Sequence, residues 1–147
     1  MSTNIDSMNI PDLSQNLKTL LFKRFEWYEQ TLLASLEAQG DVSLTMAQSR
    51  ALAVLNGQSS SISELARSLN ISRQAAHKTV SRLVELDWIK LEDGDKGNEK
   101  IINFTEHGQQ MRATIKEHMI KIEKDIAANI GQQEYNSLVR ILTTDWH

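Results

Sequence analysis

The sequence predicts a mainly α fold with a small β-hairpin wing: a winged helix-turn-helix flanked by long N- and C-terminal helices. Three observations lead there. The 147 residues contain one proline and six glycines, so little interrupts helices. Apolar residues recur at steps of three and four over two long stretches near the ends of the chain. Between them, residues 61–91 (SISELARSLNISRQAAHKTVSRLVELDWIKL) read as two short helices, a tight turn and the start of a strand.

The first helix is expected over residues 12–39. Leu13, Leu17, Leu20, Leu21, Phe25, Tyr28, Leu32 and Leu36 fall on one stripe, Pro11 suits the first turn, and Gly40 stops the helix. Thr45 caps the second helix with Gln48 as its capping-box partner, and Asn56-Gly57 ends it. Ser61 and Glu64 repeat that device for the third helix, with Leu65 and Leu69 inward and Asn70 supplying a left-handed terminus. Ser72 caps the fourth helix, 73–86, with Ala76, Val80, Leu83 and Val84 on its inner face.

Residues 88–92 and 100–104 are expected as two strands joined by the polar turn DGDKGNE. Thr105 caps a long fifth helix whose stripe is Met111, Ile115, Met119, Ile122, Ile126 and Ile130. Gly131 breaks it before a last helix carrying Tyr135, Leu138, Val139 and Leu142. The resulting division is a winged helix-turn-helix over 41–104, with the helix-turn-helix at about 61–86 and the wing at about 88–104. The helical regions 8–40 and 105–147 flank it. Their apolar stripes exceed what so small a centre covers, which implies a second copy of the chain.

Composition narrows the function. The net charge of −3 means that contact with nucleic acid must come from a local patch. No cysteine is present, which excludes disulfides and thiol redox switching. The N-terminal stretch lacks a secretory pattern and no apolar run reaches membrane-spanning length, so a cytoplasmic protein without a membrane partner is expected. No phosphate loop, nucleophile elbow or metalloprotease motif is found, so no catalytic residues, enzyme activity or cofactor are expected.

The fourth helix holds the chemistry. With Ala76, Val80 and Leu83 turned inward it exposes Arg73, Gln74, His77, Lys78, Ser81 and Arg82. Gln pairs bidentately with adenine, and Arg or Lys with guanine. Ser72 stands at the helix N-terminus, where backbone N–H groups attract a phosphate. A solvated helix face would show the same residue types; the adjoining turn and wing favour DNA reading. Residues 61–91 carry five cations against three anions, a net of +2. The wing is acidic instead: Glu92, Asp93, Asp95 and Glu99 face Lys96 and Lys100, a net of −2 over residues 92–100. Lys96 and Lys100 are candidates for phosphate or minor-groove contact, or else decorate a solvated hairpin tip that protects an edge strand.

Phe22, Phe25, Trp27 and Tyr28 cluster on the first helix. Core and dimer packing account for them; a ligand pocket at Phe25 and Tyr28 is the alternative. His107 and His118, with Glu106, have loose metal-ligand character, but surface histidines are the commoner explanation, no cysteine or tight ligand spacing accompanies them, and no metal site is assigned.

The stretches SISELARSLNISRQAAHKTVSRLVELDWI and KIINFTEHG, with Phe104, Thr105 and Gly108 in the second, resemble the MarR family of winged-helix transcription regulators over nearly the whole chain. The resemblance implies a homodimeric regulator, more often a repressor, that binds a pseudo-palindromic double-stranded DNA operator and is modulated by a small aromatic effector. Two departures stand out. The family's wing commonly carries an arginine at its tip, where this chain has Asp95-Lys96-Gly97-Asn98. The glycine common before the wing strand is Asp87 here. The acidic wing motivates a rival reading, a winged-helix protein-interaction module that has lost sequence-specific DNA binding.

Overall fold

A computed structural model describes residues 9–147; position 8, where the N-terminal helical region was expected to begin, lies outside the described residues. The elements are α1 (Leu17–Ala38), α2 (Met46–Leu55), β1 (Ser60–Ser61), α3 (Ile62–Leu69), α4 (Arg73–Glu85), β2 (Ile89–Asp93), β3 (Lys100–Phe104), α5 (Glu106–Ile130) and α6 (Gln132–Thr143). This is the mainly α winged-helix fold expected from the sequence.

Local chemistry sets the boundaries. Thr45 with Gln48 and Ser61 with Glu64 form complete capping boxes, while Ser72 and Thr105 each accept an N–H from the third helical residue. Asn56, Asn70 and Asp87 adopt positive φ (46°, 52° and 59°), so Asp87 serves where a glycine was the alternative. α1 starts at Leu17 rather than residue 12, leaving Pro11 outside it. The Asp12 carboxylate accepts the Ser14 N–H at 2.9 Å, a local turn that competes with helix formation.

The strands form one antiparallel sheet in the order β1-β3-β2. Leu91 pairs with Ile102 and Asp93 with Lys100 across the hairpin, and Ser60 and Ser61 pair with Ile102 and Ile101 on the other side of β3. Trp88, expected as the first residue of the wing strand, instead lies buried in the link between α4 and β2.

The main core joins Leu52 and Leu55 of α2, Leu65 of α3, Val80 and Leu83 of α4, Trp88, and Ile89 and Ile102 of the wing. A smaller cluster joins Leu32 and Leu36 of α1 to Ile122 of α5. Only the C-terminal part of the α1 stripe is covered: Leu17, Leu20, Leu21 and Phe25 are exposed, as are Met119 and Ile130 of α5 and Leu138, Val139 and Leu142 of α6. Val84 is a correction. It was expected on the inner face of α4, but it is exposed at the edge of the buried arc.

α5 is fastened to the wing entrance at its first turn. The Thr105 hydroxyl donates to the Asp87 carbonyl at 2.5 Å, and its N–H donates to the Trp88 carbonyl at 3.0 Å. Gly108 lies so close to Trp88 that an added Cβ would sit 1.9 Å from the Trp88 carbonyl oxygen. Farther along α5, His118 is buried rather than on the surface. Its Nδ1 is 2.6 Å from the Ser35 hydroxyl of α1 and its Nε2 is 2.8 Å from the Asp41 carboxylate after α1.

Candidate nucleic-acid interface

Helical geometry sorts α4 into two faces. At about 100° per residue, Gln74, His77, Lys78 and Ser81 fall within an arc of about 100°, flanked by Arg73 and Arg82. Ala76, Val80 and Leu83 lie opposite and are fully buried. All six polar side chains are exposed. The Ser72 Oγ accepts the Ala75 N–H at 3.0 Å, so its own proton is free to meet a phosphate oxygen. The helix thus presents amide, imidazole, ammonium and guanidinium groups on one surface while the reverse side anchors it in the core.

The cations of this surface divide by their partners. Arg82 Nη1 donates to Glu85 at 2.9 Å. In the wing, Lys90 pairs with Glu92 at 2.9 Å, and Lys100 pairs with Asp93, its cross-strand neighbour. That lysine holds the Asp93 carboxyl below the usual carboxylate range. Among the described residues, Arg73, Lys78 and Lys96 form no ion pair. Arg67 joins Arg73 along a groove between α3 and α4 floored by Ala66 and Ile71. Sequence reasoning counted the Arg67 charge without assigning it a place; its signal was the i, i+6 spacing to Arg73 across the Asn70 turn.

Phe25 lies under the Arg50 guanidinium at 5.4 Å, and Arg50 in turn forks onto buried Glu29 with both contacts at 3.0 Å. Tyr28 donates to Glu123 of α5 at 3.2 Å. Burial, then the Glu123 charge, push the Tyr28 phenol well above its ordinary range.

A cavity of about 650 Å³ lies between α1, α2 and α5. Leu32, Leu36, Leu52 and Ile115 make its apolar wall, and Asn56, Gln109, Arg112 and Lys116 its polar one. Arg112 donates to Asn56 Oδ1 at 2.9 Å and lies 5.6 Å from the Phe104 ring centroid. His107 is exposed and His118 is occupied by Ser35 and Asp41. Among the described residues no three His, Asp or Glu side chains gather as metal ligands, and no described helix is long and apolar enough to cross a membrane.

Residues 41–97, which hold the reading helix and most of the wing, match the family model described as MarR family. Over that stretch the chain is similar to the MarR family. The MarR-type fold extends over nearly the whole chain. A transcriptional regulator designated PA4135 superposes with a TM-score of 0.70 at 24% identity, covering 90% of this chain and 94% of its own. A MarR family transcriptional regulator from Silicibacter pomeroyi gives 0.69 at 17% identity, covering 88% and 87%. NadR in complex with 4-hydroxyphenylacetate gives 0.69 at 16% identity, covering 92% and 95%. No curated protein matches the chain.

Proposed function

We propose that the protein is a cytoplasmic, homodimeric DNA-binding transcription regulator of MarR type, acting as a repressor. One observation carries the reading: the exposed arc of Gln74, His77, Lys78 and Ser81, flanked by Arg73 and Arg82, on a helix whose other side is buried. In this account α4 enters the major groove of each half-site of a pseudo-palindromic operator. Ser72, Arg73 and Arg82 meet phosphates, and Lys96 and Lys100 are the wing's contacts. The apolar residues left exposed on α1 and α6, including Leu17, Phe22, Ile141 and Leu142, support the dimer.

A small aromatic effector suits the cavity between α1, α2 and α5. Its wall offers Arg112 and Lys116 beside leucines, a pairing that suits an aromatic acid such as the 4-hydroxyphenylacetate held by NadR. An effector bound there changes operator affinity if it prefers one spacing of the two reading helices.

The rival reading, an interaction module without DNA specificity, draws on the wing, where Lys90 and Lys100 are both held by carboxylates. A salt series on genomic DNA selected by the purified protein separates the two. DNA reading predicts affinity that falls steeply with salt and is lost in Arg73→Ala. Equal affinity for selected and random duplexes, or an unchanged Arg73→Ala variant, contradicts it.

A further inference from the structure

We propose that Glu85, Glu92 and Asp93 are specificity determinants of DNA binding: built-in substitutes for phosphate that hold Arg82, Lys90 and Lys100 and so suppress binding to non-operator DNA. The inference rests on the DNA-reading assignment above and deepens it.

Three cations of α4 and the wing each have a carboxylate partner: Arg82 with Glu85, Lys90 with Glu92, and Lys100 with Asp93. The pairs are built into the secondary structure. Arg82 and Glu85 are i, i+3 on α4. Lys90 and Glu92 alternate onto one face of β2, where Asn103, the cross-strand partner of Lys90, also donates to Glu92 at 3.0 Å. Asp93 and Lys100 are opposed in the hairpin register. Holding these groups together therefore needs little rearrangement of the backbone. All six side chains are about half exposed or more, so a phosphate can reach each cation once the carboxylate yields.

The consequence follows from how duplexes attract proteins. Non-specific affinity comes almost entirely from counterions released as cations engage phosphates. A cation that already holds a carboxylate contributes less to that release, and the carboxylate itself repels the backbone. Base contacts from Gln74, His77 and Lys78 are untouched by this arrangement. At the operator the base contacts fix one register in which phosphates displace these carboxylates, whereas a random duplex has no register that does so consistently; the pairing therefore lowers the non-specific term more than the specific one and raises the ratio between them. Arg73, Lys78 and Lys96, which form no ion pair among the described residues, are left to supply the electrostatic attraction.

The test compares the full chain with Glu85→Gln, Glu92→Gln, Asp93→Asn and the triple variant. All are exposed positions, and circular dichroism verifies the fold. Two controls remove a carboxylate that holds no cation among the described residues: Asp95→Asn in the wing and Glu134→Gln on α6. Affinity is measured from low to moderate salt for two probes, a genomic fragment selected by the protein and a random duplex of equal length. The expected result is a salt slope steeper by about 0.9 for each cation newly engaged. Affinity for the random duplex rises on the order of tenfold in the triple variant, affinity for the selected fragment rises less, and the controls change little. An unchanged slope, an equal gain on both probes, or an Asp95→Asn effect matching Asp93→Asn overturns the proposal. If the unsubstituted protein binds neither duplex, the DNA reading itself fails and this inference falls with it.

Discussion

Gly108→Ala tests the junction on which the reading head depends. An alanine Cβ at this position would lie 1.9 Å from the Trp88 carbonyl oxygen and 2.8 Å from the Trp88 carbonyl carbon. Close C···O contacts run at about 3.3 Å, so α5 and the wing entrance must separate by roughly 1.4 Å. The atom in the way is backbone, which cannot swing aside. Overpacking of this kind costs about 1–3 kcal/mol. The separation also strains the two hydrogen bonds from Thr105 to Asp87 and Trp88, each contributing about 1 kcal/mol. The better helix propensity of alanine offsets about 1 kcal/mol. The net expectation is destabilisation of about 2–4 kcal/mol. Gly97→Ala at the open wing tip meets nothing within 4 Å and carries only the cost of its φ of +60°, about 1–2 kcal/mol. Urea unfolding followed by circular dichroism measures both, at two protein concentrations so that self-association is accounted for. A Gly108→Ala variant within about 0.5 kcal/mol of the parent, or less damaged than Gly97→Ala, would refute the reasoning.

His118→Ala removes a buried ring and leaves the Ser35 hydroxyl and Asp41 carboxylate without it; a loss of about 1–3 kcal/mol is expected in the same unfolding assay, with a smaller loss for Asp41→Asn. Ser72→Ala deletes the α4 cap and should cost about 1 kcal/mol of stability. The Tyr28 phenol is pushed up in the folded protein, so the folded state holds its proton more tightly than the unfolded chain. Its contribution is complete below the ordinary tyrosine range near about 10 and declines as pH rises above it. Tyr28→Phe should therefore flatten the alkaline fall in thermal stability; an identical alkaline limb would contradict the assignment.

The parts of the fold that were legible in the sequence are those fixed by neighbours within a few residues. The caps at Thr45, Ser61, Ser72 and Thr105 each need only an N–H three positions on. The left-handed ends at Asn56 and Asn70 need only a short polar side chain that tolerates positive φ. The parts that were not legible depend on distant chain. Ser60–Ser61 becomes a strand only because β3 offers an edge to pair with, and two serines carry no alternation to announce it. His118 looked like a surface histidine on its own helix; its burial comes from Ser35 and Asp41, 83 and 77 residues away. Val84 lies next to the buried arc of α4, where helical periodicity alone does not fix how far the neighbouring elements reach.

The candidate interface divides in the same way. The order of exposed side chains on α4 follows from helical spacing, so its members were named from sequence. The ion pairs of Arg82 and Lys100 depend on rotamers and strand register, and only the structure supplies them. The aromatic cluster on α1 suggested a pocket at Phe25 and Tyr28; the contacts of those rings with Arg50 and Glu123 come from distant chain and are visible only in the structure. The cavity is formed by three helices, with Arg112 in its wall.

A protection footprint on genomic DNA selected by the purified protein tests the central claim most directly. Two copies of α4 related by a two-fold axis predict two protected half-sites on one face of the duplex, centred about 10–10.5 base pairs apart, with major-groove protection lost in Gln74→Ala. Protection at a single site, or none above that on random sequence, would contradict it.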